Sequence, residues 1–159
     1  MKHYPAGILS PAFPLPPRVE WVGPRRGIFR APFAFISPSL GRIEIEEGFD
    51  TDYASVPRGL WNLYPPDGEY SPAAWVHDYL YWYQALRDGG LPVKREQADL
   101  VFLEAMQAIG IGWFTRSVLY RAVRIGGAGP WEANRRAREG EAATVTSERP
   151  KPQFHKSSR

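Results

Sequence analysis

Of the three histidines in the chain, His3 and His155 lie in terminal segments, which leaves His77 as the one set on a regular element. An imidazole titrates near neutral pH, so it can take a proton from water or an alcohol if a second group fixes its orientation. Ser71-Pro72 has the composition of a helix start, and the run from Ala73 to about Leu86 continues it. On that helix Tyr81 stands four residues after His77 and shares its stripe, whereas Asp78 points about 100° away. Asp99 borders the apolar stripe of the next helix, three residues before Phe102 and seven before Met106. If the two helices are antiparallel, its carboxylate can accept an imidazole N–H and leave the other ring nitrogen to activate water. His77 and Asp99 are therefore the candidate catalytic pair.

Further polar groups stand upstream at Asp50, Asp52 and Ser55. Asp78 and Asp52 are the candidate metal ligands, for a divalent cation of which calcium is one example, although the site can equally work with no cofactor. Tyr81 and Ser55 are candidate binding groups. Ser55 makes a poor nucleophile because Ala54-Ser55-Val56-Pro57 lacks the glycines of a nucleophile elbow. A helix histidine beside a carboxylate also fits a buried, satisfied pair, and the Asp50 to Ser55 stretch fits a turn with caps. Both readings stay open at this level. Tyr79, Tyr81, Trp82 and Tyr83 resemble a stacking platform, yet neighbours on a helix diverge, so some of them must serve the core. The chain carries no phosphate-binding loop, no dinucleotide fingerprint and no paired-histidine zinc motif.

Several elements must hold these groups in place. The prolines at 5, 11, 14, 16 and 17 exclude a helix and predict an extended N-terminal arm. Strand patterns follow at Val19–Val22, Ile28–Ile36 with a break at Pro32, and Arg42–Glu46, the last two joined by Ser37-Pro38-Ser39-Leu40-Gly41. Gly48–Arg58 is expected to be an ordered loop. A second helix is predicted from about Lys94 to Ile109 with Gly110 as its stop, and a third from about Trp113 to Ile125 with Phe114, Val118, Ala122 and Ile125 on one side. Beyond Trp131 large apolar residues nearly vanish, which predicts a short helix at most and then a loose tail. The expected fold class is α+β: antiparallel strands with a hairpin, then a three-helix part. The expected organisation is an arm over 1–17, one globular domain over 18–131 and a polar, basic tail over 132–159.

At 159 residues, with 43% hydrophobic and 14% aromatic content, the chain can bury one substantial core but not comfortably two. It has no cysteine, which excludes disulfides, thiolate metal sites and cysteine nucleophiles. No apolar run approaches the roughly 20 residues of a membrane span, and no secretory signal peptide is visible. The net charge of +3 sits in the tail, since residues 1–130 hold 13 basic and 13 acidic side chains against seven and four afterwards. So sparse a pattern gives no strong nucleic-acid signal.

Three segments carry a resemblance to a known family: Gly48-Phe49-Asp50-Thr51-Asp52-Tyr53-Ala54-Ser55-Val56-Pro57, then Ala73-Ala74-Trp75-Val76-His77-Asp78-Tyr79-Leu80-Tyr81, then Ala98-Asp99-Leu100-Val101-Phe102. As a set they resemble domain of unknown function 1353, a family of bacterial and tailed-phage proteins, over roughly residues 30–131. The resemblance implies a phage or prophage origin and no particular activity. Locally, His77-Asp78-x-x-Tyr81 followed by Asp99 is similar to the two-helix core of secreted phospholipases of the A-two type. That likeness implies His77 as the water-activating base, Asp99 as its orienting partner and Asp78 as a calcium ligand; the chain lacks those enzymes' cysteines and glycine-rich calcium loop. His-Asp metal phosphohydrolases need a further upstream histidine, and only His3 precedes His77.

Two functions from different classes follow. One is a phage-encoded hydrolase acting on envelope lipid, peptidoglycan or another ester or amide. The other is a non-enzymatic virion or assembly component that docks on other phage proteins through its terminal arms, in the host cytoplasm or the virion.

Overall fold

The computed structural model describes residues 10–23, 26–52, 71–86 and 90–147, with side chains as far as Gly140. The fold is α+β, with five short strands ahead of the first described helix and one further small hairpin between the first two helices. Strands β1 (Val19–Gly23), β2 (Arg26–Phe29) and β5 (Asp50–Thr51) form an antiparallel sheet in the order β1-β2-β5. Strands β3 (Phe33–Ser37) and β4 (Gly41–Ile45) form a separate hairpin. Pro32 falls between β2 and β3, where its missing N–H interrupts no ladder. Gly41 closes the hairpin turn at φ +76°, a conformation that penalises any side chain.

Helix α1 spans Ser71–Tyr83 and α2 spans Arg95–Ala108. Between them a short hairpin, β6 (Ala85–Leu86) with β7 (Leu91–Pro92), turns the chain back. Gly110 ends α2 at φ +82°. Helices α3 (Trp113–Gly126) and α4 (Ala128–Ser147) complete the order.

The core lies between the β3-β4 hairpin, β2 and the α1-α2 pair. Phe29 and Phe33 each make a T-shaped contact with Trp75, at 5.5 and 5.6 Å between ring centres, while Val101, Phe102 and Met106 close the α2 side with no exposed surface. Part of the proline-rich arm belongs to this core. Phe13 is fully buried with its ring 4.8 Å from Phe35, and Ala12 accepts a hydrogen bond from the Ile36 amide.

Four sequence expectations need correction. The loop after Gly48 contains β5, whose two residues pair with Gly27 and Ile28; the stretch is too short to show alternation. Helix α1 stops at Tyr83, because Gln84 takes φ +52° and its amide returns to Leu80 O, and the chain then enters β6. The α3 stripe faces the other way: Leu119 and Val123 are buried, whereas Phe114 and Ile125 are 63% and 85% exposed. The last correction is a fourth helix of 20 residues where a short one was expected. Its polar sequence is laced by ion pairs at helical spacing, Arg135 with Glu132 and Glu139 and Arg136 with Glu132. Tertiary anchors add to these, since Arg138 donates to Tyr83 O and Gln84 donates to Trp131 O.

Candidate functional site

Helices α1 and α2 run antiparallel: His77 lies over Phe102 and Asp99, and Tyr81, one turn further on, reaches back toward Arg95. This pairing brings His77 Nε2 to 2.9 Å from Asp99 Oδ1, with both side chains fully buried. The same oxygen accepts the Tyr81 hydroxyl at 2.7 Å. An ionised carboxylate only accepts, so Nε2 carries the proton in its bond to Asp99, and in the neutral ring Nδ1 is the basic nitrogen. The imidazole is held between the Tyr81 and Phe102 rings, 4.1 and 4.8 Å away between centres.

Two arginines complete the network. Arg124 of α3 donates to Asp99 Oδ2 at 2.9 Å, and Arg95, one helical turn before Asp99, approaches the same oxygen at 3.4 Å while bonding Arg124 O at 3.0 Å. Burial alone would raise the Asp99 pKa. The bonds from His77 and Tyr81, the charge of His77 and the bond from Arg124 outweigh it, and the carboxyl sits below its ordinary value of 3.8. Tyr81 is driven the opposite way, first by burial and then by its bond to Asp99, so its phenol stays neutral and remains a donor.

Asp78 takes the adjacent direction on α1. It is 7% exposed, and its Oδ2 accepts the Thr51 hydroxyl from β5 at 2.6 Å. Past this contact opens a cleft of about 780 Å3 whose walls include Asp78, Tyr81, Trp82 and Tyr83 of α1, Glu46 to Asp50 and Asp52 from the strand side, Arg26, and Asn134 of α4. Of the residues singled out in the sequence, His77, Asp99 and Tyr81 thus meet in one network, and Asp78, Asp52 and Tyr81 share the cleft. Tyr81 belongs to both. Ser55 lies outside the described residues.

A family model described as "Protein of unknown function (DUF1353)" matches residues 29–123, more than half of the chain. The chain belongs to the DUF1353 family. The match runs from the end of β2 into α3, so the DUF1353 portion contains His77, Asp78 and Asp99 but stops one residue short of Arg124. No curated protein and no solved structure matches the chain.

Sequence reasoning missed Arg95, Arg124 and Gly127 in this DUF1353 protein. Arg95 could have been found, because it stands four residues before Asp99 on the same helix. Arg124 depends on how α3 docks, which no local pattern encodes. Gly127 acts by its size: a Cβ there would collide with the Tyr81 hydroxyl and sit 2.5 Å from Val123 O. Gly127→Ala is expected to destabilise the fold by about 1–3 kcal/mol through overpacking. That cost should shrink when Tyr81→Phe removes the hydroxyl, a coupling that denaturant melts of the two single variants and the double variant will reveal. Strictly additive losses would mean that Gly127 and Tyr81 do not press on one another.

Proposed function

We propose that this protein is a hydrolase of phage or prophage origin in which His77, oriented by Asp99, is the general base for attack of water on an ester or amide of the cell envelope. The observation that carries this reading is the Nε2 bond of His77 to Asp99 Oδ1 at 2.9 Å, shared with Tyr81, a residue that also lines the cleft. Asp99 fixes the tautomer with Nδ1 as the basic nitrogen, and Tyr81 is the partition between the dyad and the space where a substrate can sit. Since His77 has no exposed surface, turnover requires the Tyr81 ring to move aside as substrate enters.

A hard cation is not routed into this reading. Asp78 and Asp52 would give calcium two carboxylates where it takes six to eight oxygens. Among the described residues no group of three His, Cys, Asp or Glu side chains could hold a metal ion.

A second reading is favoured by a different observation: His77 and Asp99 are both fully buried, and Asp99 is met by four side-chain donors. A saturated network of this kind ties α1, α2 and α3 together. On this reading the protein is a non-enzymatic virion or assembly component.

His77→Gln separates the two. As a hydrolase, the variant should keep its fold and lose at least about 100-fold in turnover of phospholipid vesicles or peptidoglycan, in line with removal of a general base. As a structural component, the wild type should turn over neither substrate, and the variant should lose about 1–3 kcal/mol of stability from a broken buried hydrogen bond. Turnover that survives His77→Gln undiminished sinks the dyad.

A further inference from the structure

Helix α3 carries two apolar faces, and the fold uses one of them. Leu119 and Val123 are fully buried, whereas Trp113, Phe114 and Ile125 stand 70%, 63% and 85% exposed. At 100° per residue, Phe114, Val118, Arg121 and Ile125 fall within a sector of about 60° on the side roughly opposite Leu119 and Val123. Phe114 and Ile125 are about 16 Å apart along the axis, so the exposed line runs most of the length of the helix. Trp113 adds to it at the N-terminal end, its ring perpendicular to that of Phe114 at 6.0 Å between centres. Single exposed apolar side chains are ordinary on a protein surface, but a line of them beside an exposed tryptophan marks a contact face.

The charge on this helix has one sign. Its 14 residues include three arginines and no acidic side chain. Arg124 is spent within the fold, on Asp99 and Glu96. Arg116, in the first turn, donates to Ile111 O, a neutral acceptor that leaves its charge uncancelled. Arg121 lies inside the apolar line, is exposed, and bonds to none of the described residues. A long arginine stem can lie along apolar surface while its head reaches an anion at the boundary.

We infer that the outer face of α3 docks on an anionic lipid bilayer, with Trp113, Phe114 and Ile125 entering the headgroup boundary and Arg121 meeting lipid phosphate. Aromatic and aliphatic side chains on one line, with arginine as the only charge, are what a helix lying in that boundary needs. A second copy of the chain is served worse, because a two-fold contact through this face would set arginine against arginine with no carboxylate to answer it. Nucleic acid would answer the charge but leave Phe114, Val118 and Ile125 against phosphate. The face is separate from the cleft, whose walls come from α1, the strand side and α4. Docking through α3 therefore does not depend on whether the protein hydrolyses anything.

The test uses the full chain and vesicles of phosphatidylcholine alone or with about 30% phosphatidylglycerol, followed by co-sedimentation. Binding to the anionic vesicles should be at least about tenfold tighter than to the neutral ones, since each arginine near such a surface contributes about fivefold. Raising salt to about 1 M, where charge acts over only about 3 Å, should weaken it at least about fivefold. Arg121→Glu, and separately Phe114→Gln combined with Ile125→Gln, should each weaken binding at least about tenfold. The three side chains are exposed, so thermal melts of these variants should match the wild type. A second readout places the contact: lipids brominated on the acyl chain should quench wild-type tryptophan fluorescence, and Trp113→Phe should still bind but lose most of that quenching. Equal affinity for neutral and anionic vesicles, no binding at low salt, or quenching unchanged in Trp113→Phe would each overturn the assignment. So would binding that survives both the Arg121 and the Phe114/Ile125 variants, which would belong to another part of the chain such as the basic tail.

Discussion

Asp99→Asn is expected to destabilise the protein by about 3–5 kcal/mol at neutral pH, the range for removing one partner of a buried ion pair. The substitution keeps the volume but replaces an acceptor with an NH2 group that must face other donors. Whichever way the amide turns, it presents N–H either to His77 and Tyr81 or to Arg95 and Arg124. The arginine side chains are 20% and 30% exposed, so water recovers part of their solvation and the loss falls toward the lower end of the range. The pH dependence has a defined sign. Asp99 is depressed below 3.8 in the folded protein, so its contribution is complete above the unfolded value and disappears as pH falls through the folded one. Denaturant melts should therefore show a large gap between wild type and Asp99→Asn at about pH 7 and convergence as pH drops below 3.8. A gap that persists unchanged at acid pH would show that the loss in the variant does not come from the missing carboxylate charge.

The meeting of His77 with Asp99 was legible because two local patterns met one topological rule. The helix periodicity put His77 and Tyr81 on one stripe and Asp99 at the border of another, and a short connection made the helices antiparallel neighbours. The separate direction of Asp78 followed from the same rotation, and its bond to Thr51 shows it turned toward the strands. What could not be read depends on rotation about a helix axis or on distant chain. For α3, moderately apolar side chains occur on two faces, and burial selected Leu119 and Val123 over Phe114 and Ile125. That choice is what swings Arg124 onto Asp99, so the misread face and the missed arginine share one cause. Helix α4 escaped because its low apolar content hid stabilisation from intrahelical ion pairs and from the anchors at Arg138 and Trp131. The β5 and β6-β7 ladders are two residues per strand, below the length at which alternation carries information.

Phe102→Ala is expected to cost about 3–5 kcal/mol, because the ring is fully buried and truncation leaves a cavity that its surroundings refill only in part. The neighbours are poorly able to collapse. On one side lies His77, 4.8 Å away between ring centres and tied through Nε2 to Asp99, so it cannot slide into the space without giving up that bond. The rest of the wall is buried core from α1 and α2, including Val101 and Met106, whose positions are set by the same helix pair. Urea unfolding should therefore show a lower midpoint at nearly constant slope, the mark of lost stability without a change in the surface exposed on unfolding. The paired measurement concerns the imidazole. With Phe102 gone, the ring keeps its Asp99 bond but loses one of its two aromatic walls, so the histidine side-chain NMR signals of the variant should broaden while those of Tyr81, anchored by its hydroxyl, stay sharp. A midpoint equal to that of the wild type would mean that α1 and α2 do not bury Phe102 between them, and the placement of His77 over Asp99 would fall with that packing.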